Sequence, residues 1–420
     1  MEPARHIEPV NWMRDPETTS VFAALAAPAR FVGGCVRDVL LDRPVTDIDI
    51  ATTLTPDAVM QRLDAAGIRA VPTGFDHGTV TAVTDHRHFE ITTLRIDVRT
   101  DGRRAEVSFT DDWIADAQRR DFTVNALYCE PDGALYDPVG GLADLDARRV
   151  RFVGDPAQRL VEDVLRLLRF FRFHAQFGAP PLDAAGLAAC RAAAGRLTTL
   201  AGERIAHEML RLLAAGDPAP TLVTMSANGI FAPILPEARA IDRLAALVTL
   251  EGIVDGAVPV RRLAAMVEAD AAGAADIAAR WRLSNADRKR LVALCREPAL
   301  DPEQPKAYQR AELYRSGADL WHDRVLVSWA DEVSHGVPQD RRRSEGWRAV
   351  YDLPVSDPPP AFPLRGQDAL ERGVPPGPEV GSLLDAVEQW WIDGDFGADR
   401  AACLNRLEAL RPEADRVAED

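Results

Sequence analysis

Asp47 and Asp49 stand one residue apart in the run Val45-Thr46-Asp47-Ile48-Asp49-Ile50. In a strand successive side chains alternate faces, so the two carboxylates project together while Ile48 and Ile50 turn toward a core. Paired carboxylates offer hard oxygen donors to a divalent cation such as Mg2+. Upstream, Gly33 and Gly34 fall where a strand gives way to a helix, with Arg37 one turn further on. Backbone N–H groups and the helix dipole at such a junction favour a phosphate, and glycine lets the chain turn tightly there. A phosphate cradle and a carboxylate pair within residues 31–53 have the makings of a nucleotide site that uses Mg2+. A third carboxylate is available at Glu90, which alternation sets opposite Phe89 and Ile91. If its face is the one that bears Asp47 and Asp49, it joins them; otherwise it is an exposed or ion-paired strand residue.

The surrounding pattern predicts the elements that hold these groups. A lead-in helix over 18–27 stops at Pro28, and a second helix over 56–66 carries Pro56 in its first turn, with Thr55 as its cap. Residues 68–72, 78–84 and 88–94 alternate apolar and polar and are rich in Val, Thr and Ile, which predicts strands of one sheet. The charged run 95–111, with Gly102 at its middle, reads as a mobile loop or ribbon beside the site. A helix over 111–117 follows, then Arg119-Arg120, which taken alone is a solvated surface pair; residues 150–153 suggest an edge strand.

From Asp155 the pattern turns helical and remains so to about residue 350. The stretch Glu162 to Phe177 reads as one helix with a buried stripe at Val164, Leu167, Leu168 and Phe171. Glu162, Asp163, Arg166, Arg169 and Arg172 share the other half of its wheel. They form either an intrahelical ladder of ion pairs, worth little to stability, or an edge that reads a base. In the second case Asp163 accepts from an exocyclic amine while Arg166 donates to a ring acceptor, a pairing that cytosine and adenine offer and guanine and uracil do not. Arg341-Arg342-Arg343 could meet a phosphate backbone, or be solvated charge. His322-Asp323 prompts a search for a metal-dependent phosphohydrolase, and the lack of a second such pair at suitable spacing argues against one. Residues 353–363 are Pro-rich, a linker or strap, and Gly377-Pro378 marks a helix start.

With 420 residues the chain is too long for one ordinary core. The five cysteines are scattered with no CxxC pair, so buried thiols are expected rather than zinc or redox chemistry. No apolar run has transmembrane length and no signal pattern opens the chain, which leads us to expect a soluble cytoplasmic protein with no membrane contact. The net charge of −16 argues against a nucleic-acid partner only if charge is spread evenly, and almost all the basic residues are Arg, the better phosphate ligand.

Four blocks occur together in a recognisable order: Gly33-Gly34-Cys35-Val36-Arg37-Asp38, Asp47-Ile48-Asp49, Arg119-Arg120-Asp121-Phe122-Thr123-Val124-Asn125-Ala126, and Glu162-Asp163-Val164-Leu165-Arg166. In these the chain resembles the class II tRNA nucleotidyltransferases and bacterial poly(A) polymerases of the DNA polymerase beta superfamily. The likeness is close over 29–240, including Gly202-Glu203-Arg204-Ile205 and Leu235-Pro236-Glu237, and thins afterwards. It implies an α+β fold: a helical lead-in over 1–28, a catalytic head over 29–154, a helical neck over 155–216, a body over 217–352 and an RNA-binding tail over 353–420. It further implies Asp47 and Asp49 as Mg2+ ligands, with Glu90 the third carboxylate, and Gly33, Gly34, Arg37 and Arg120 as nucleotide contacts. Asp163 and Arg166 would read the base, while Arg169 and Arg172 steer the triphosphate. The implied reaction adds C, C and A to a tRNA 3' end from CTP and ATP, with no obligatory protein partner. Residues 72–80 look like the tRNA nucleotidyltransferase version of their region and lack the Gly-Arg-Arg-Phe-like element of poly(A) polymerases. Poly(A) synthesis and A-addition beside a CC-adding partner remain alternatives. Two rivals from other classes are a transferase acting on a small molecule, which needs no helical body, and an RNA-binding protein with an inactive head.

Overall fold

A computed structural model describes residues 1–101, 104–254, 256–296 and 299–411. Gly102, the expected middle of the charged run, lies outside the described residues. The chain divides into two compact units, residues 1–238 and 239–420. In the first, the elements run β1 (Arg5–His6), α1 (Asn11–Arg14), α2 (Pro16–Leu25), β2 (Ala29–Val32), α3 (Gly34–Leu40), β3 (Ile48–Thr52) and α4 (Pro56–Ala65). Next come β4 (Arg69–Gly74), β5 (Thr79–Val83), β6 (His88–Thr93), β7 (Arg95–Asp101), β8 (Arg104–Phe109), α5 (Trp113–Gln118), β9 (Tyr128–Cys129), β10 (Ala134–Tyr136) and α6 (Gly141–Asp146). Five helices complete the unit: α7 (Pro156–Glu162), α8 (Leu165–Phe177), α9 (Ala184–Ala193), α10 (Gly202–Leu213) and α11 (Ala219–Ala227).

Eight strands form one mixed sheet in the order β1-β10-β9-β2-β3-β6-β5-β4, and β7 pairs with β8 as a separate ribbon. The pairing of β3 with β6 is parallel and sets Asp49 beside Glu90, Ile48 beside Phe89 and Ile50 beside Ile91. The four apolar residues are all buried, so this register gives one face to the core and leaves the carboxylates on the other. The helix over 56–65 starts as its sequence predicts, with the Thr55 side chain accepting from the Ala58 N–H.

Three expectations are corrected. Residues 150–153 are not a strand; Phe152 makes only an isolated bridge to Phe122, and the sheet edge is taken instead by β1, too short to carry an alternation signal. The run Glu162 to Phe177 is two helices, because Asp163, which ends α7, is extended (φ −151°) and its carboxylate accepts from the N–H of Leu165, where α8 begins. Finally, Cys295 is only half-buried, while the other four thiols are buried.

The second unit is all helical: α12 (Ile241–Val254), α13 (Pro259–Met266), α14 (Ala271–Arg280), α15 (Asn285–Leu294), α16 (Lys306–Ser316), α17 (Ala318–Ser334) and α18 (Arg341–Tyr351) lead to α19 (Leu353–Ser356), α20 (Gly366–Leu370), α21 (Pro378–Asp393) and α22 (Arg400–Leu410). The last three have a core of their own, with Val387, Trp391, Phe396, Cys403 and Leu407 packed together and Ala311 of α16 joining them. His322-Asp323 serves the fold: Asp323 takes Arg261 at 3.1 Å and Arg290 at 2.5 Å, and His322 lies against the Tyr351 ring. Arg343 is likewise spent on Glu332 (2.5 Å) and Asp301 (2.8 Å).

Arg261 is fully buried and also pairs with Glu251 at 2.7 Å. Removing one member of such a cluster strands a charge, at a cost of about 3–5 kcal/mol. Asp323→Ala should therefore lower the stability of the second unit by that order in chemical denaturation of the full chain, and leave the first unit's transition in place.

Candidate active site

One cavity of about 290 Å³ opens on the carboxylate face of the sheet. Gly33, Gly34 and Arg37 line it from one side, Asp47 and Asp49 from another, and Arg120, Arg169 and Arg172 close it. Eight of the eleven residues that the sequence nominates thus meet in one place. Glu90 stands beside Asp49 without lining the cavity, and Asp163 and Arg166 lie outside its wall.

Gly33 links β2 to α3 at φ 75°, a conformation that strains any residue with a Cβ, and its carbonyl accepts from the Arg37 N–H. Cys35 donates its S–H to the backbone carbonyls of Val32 and Asp49, tying α3 to β3 just beneath the carboxylates. Burial pushes that thiol up to about 12, so it remains protonated and structural.

Arg37, Arg120, Arg169 and Arg172 each have a carboxylate to hold them. Arg37, 7 % exposed, pairs with Asp38 at 2.8 Å and donates to Asn125 Oδ1 at 2.6 Å. Arg120 reaches the buried Asp116 at 2.9 Å through Nη2, and Arg119 takes the other oxygen of the same carboxylate at 2.6 Å. The Tyr128 hydroxyl donates to Asp116 at 2.7 Å as well. Burial alone would raise Asp116, but Arg120 and Arg119 outweigh it and hold the carboxyl well below the usual range. Arg169 pairs with Asp121 at 2.7 Å; burial is again outweighed, and Asp121 is lowered to about 2. Arg172 pairs with Glu208 of α10 at 2.5 Å.

Asp49 is the exception. Burial, the neighbouring Glu90 and Asp47 raise it to about 6, against the opposing pull of Arg120 and Arg37. Crowded carboxylates of this kind offer the oxygen ligands that Mg2+ requires. Among the described residues no group of three or more His, Cys, Asp or Glu is arranged to hold a metal ion.

The base-reading candidates are engaged elsewhere. Asp163 pairs with Arg204 at 2.8 Å, and Arg166 pairs with Glu162 at 2.5 Å and donates to the Arg119 carbonyl. The sequence reading missed Asp116, Asn125, Glu208 and Arg211, the last an exposed residue of α10 that lines the cavity. Asp116 had a signal: it lies three and four residues before Arg119 and Arg120, the spacing of helical ion pairs. Glu208 and Arg172 are far apart in sequence, and no local pattern joins them.

A carboxylate raised in the folded state favours folding while protonated, and that advantage is lost as pH rises through its folded value. In metal-free protein, Asp49→Asn should raise the melting temperature by a few degrees at about pH 8, where Asp49 is charged. The difference should fade by about pH 4, where both side chains are neutral. Asp116→Ala leaves Arg119 and Arg120 without their shared partner and should cost about 3–5 kcal/mol by thermal denaturation.

Comparison with known proteins places this geometry. Residues 29–151 match the "Poly A polymerase head domain" family and residues 182–241 match "Probable RNA and SrmB- binding site of polymerase A". The mouse mitochondrial CCA tRNA nucleotidyltransferase 1 is 33 % identical over 402 residues, covering 93 % of this chain and 88 % of the relative. The CCA-adding enzyme of Limosilactobacillus fermentum is 33 % identical over 385 residues, covering 90 % and 91 %. The solved structure of the Bacillus stearothermophilus CCA-adding enzyme in complex with CTP superposes with a TM-score of 0.69 at 26 % identity, covering 96 % of this chain and 99 % of that one. With the α+β fold, the order of the sequence blocks and identity along nine-tenths of its length all in agreement, the chain belongs to the family of CCA-adding tRNA nucleotidyltransferases.

Proposed function

We propose that this chain adds C, C and A in turn to the 3' end of tRNA, using CTP and ATP, releasing pyrophosphate and needing no nucleic-acid template. The observation that carries the reading is the cavity in which Asp47 and Asp49 face Arg37, Arg120, Arg169 and Arg172. It is supported by full-length relatives named for CCA addition.

Asp47 and Asp49 would hold Mg2+, with Glu90 as the adjoining third carboxylate. When bound, the ion lowers the pKa of the RNA 3'-hydroxyl and neutralises charge on the attacking and leaving oxygens. The chain's own side chains do the rest. The Gly33-Gly34 turn, Arg37 and Arg120 bind the triphosphate, and Arg169 and Arg172 orient it by charge. Because their carboxylate partners hold these arginines in place, little reorganisation is needed as charge builds on the phosphate. Asp163 and Arg166 read the base. Each carboxylate oxygen has two lone-pair positions, so Asp163 can accept from an exocyclic amine while keeping Arg204. The head (29–154) performs transfer, the neck (155–216) chooses the base, and the body (217–352) and tail (353–420) hold the RNA. The enzyme works in the cytoplasm as a self-sufficient catalyst; no described helix is long and apolar enough to cross a membrane.

Transcript tRNA lacking its last three nucleotides, incubated with each labelled NTP singly and together, should yield a defined CCA end. Long A tails would select poly(A) synthesis, and A alone would select an enzyme working beside a CC-adding partner. Asp49→Ala should cut transfer by on the order of 1000-fold or more while the circular dichroism spectrum is kept. Asp163→Ala should relax the choice among the four NTPs by about tenfold or more while leaving the Mg2+ dependence of the rate unchanged; unaltered C and A selectivity would remove Asp163 from the reading edge.

A further inference from the structure

A second cavity, of about 470 Å³, meets the first at Thr46 and Asp47 and is otherwise walled chiefly by Asp15, Glu17, His86, Arg87 and His88. Its walls are tied together. The turn between β5 and β6 closes with the Thr84 N–H donating to the Arg87 carbonyl, and Thr84 Oγ1 donates to Glu17 at 2.7 Å. Arg87 pairs with Asp15 at 3.4 Å, and Asp15 caps α2 by accepting from the Glu17 N–H. A hairpin turn and a helix start are thereby fastened side by side, with two histidines exposed between them and the catalytic carboxylate.

The two cavities share Asp47 and differ in charge. Five arginines line the first, whereas the second has Arg87 alone beside several carboxylates. Phosphoryl transfer brings the attacking oxygen in line with the leaving group, so the acceptor hydroxyl and the departing pyrophosphate lie on opposite sides of the reacting phosphorus. The arginine-rich cavity suits the polyanionic triphosphate. The other suits a group that ends in hydroxyl donors. An RNA 3' end is such a group: its terminal ribose presents 2'- and 3'-hydroxyls, its only nearby phosphate lies on the 5' side of that ribose, and its base has flat faces that stack on imidazole.

We propose that this second cavity receives the 3'-terminal nucleotide of the RNA acceptor, with Asp15 and Glu17 accepting from the ribose, Arg87 pairing with the preceding phosphate and His86 or His88 stacking on the base. The assignment rests on the nucleotidyltransferase reading and adds to it the seat of the second substrate.

The test uses the full chain and a tRNA acceptor hairpin that ends in CC, its last residue replaced by photoreactive 5-iodocytidine. Irradiation should crosslink the terminal residue to peptides containing residues 15–17 or 84–90. The double variant His86→Ala/His88→Ala, both surface changes, should raise the KM for the hairpin about tenfold and leave the KM for ATP within about twofold, and Arg87→Gln should do the same. Transfer with a crosslink elsewhere, or with an unmoved KM for RNA in both variants, overturns the cavity assignment and leaves the function standing. Absence of any transfer by the unmodified protein overturns the nucleotidyltransferase reading, and this inference falls with it.

Discussion

Like charges are not packed together unless something holds them there, and this constraint organises the active cavity. Five arginines line one small space. Four of them are anchored by carboxylates: Arg37 by Asp38, Arg120 by Asp116, Arg169 by Asp121 and Arg172 by Glu208. In a setting of low polarity these pairs are strong, and they fix the arginines as oriented donors rather than loose chains. Neutralised in this way, the cationic wall can stand opposite Asp47 and Asp49 without collapsing onto them. The carboxylate cluster differs: there Asp49 is raised by burial and by its acidic neighbours, against the pull of Arg120 and Arg37. The cavity thus gathers guanidinium groups at one end and carboxylates at the other.

Much of this was legible in the sequence, and the reasons are physical. Alternation along a strand has a period of two, so the burial of Ile48 and Ile50 and the opposite face for Asp49 followed from spacing alone; Asp47 lies just before β3, outside the strand expected to carry it, and lines the same cavity. Glu90 was conditional because strand pairing is not local; only the register of β3 on β6 sets it beside Asp49. The break at Asp163 went unread because Asp is tolerated within a helix and equally suited to capping one; the competing hydrogen bond to the Leu165 N–H decides. Glu208 could not be found at all, since its partner Arg172 lies on another helix. Arg119 and Arg120, read alone, are a surface pair. In the fold they clasp a carboxylate that is 1 % exposed.

The net charge of −16 misleads in the same way. Negative charge dominates the total, while five arginines are gathered in one cavity, four of them matched by carboxylates. The second unit spends its cations on itself: Arg261, Arg262 and Arg290 go to buried Glu251 and Asp323, and Arg343 goes to Glu332 and Asp301. Counting charges along a sequence cannot separate these uses, because burial and partnership are properties of the fold.

The parallel pairing of β3 with β6 carries a consequence for how the protein can fail. One register buries Ile48, Ile50, Phe89 and Ile91 and also presents Asp49 beside Glu90. A slip of one residue would turn the apolar set to water and the carboxylates into the core at the same time. An error in assembling this edge is therefore also an exposure of apolar surface: the burial that fixes the register is what holds Asp49 beside Glu90.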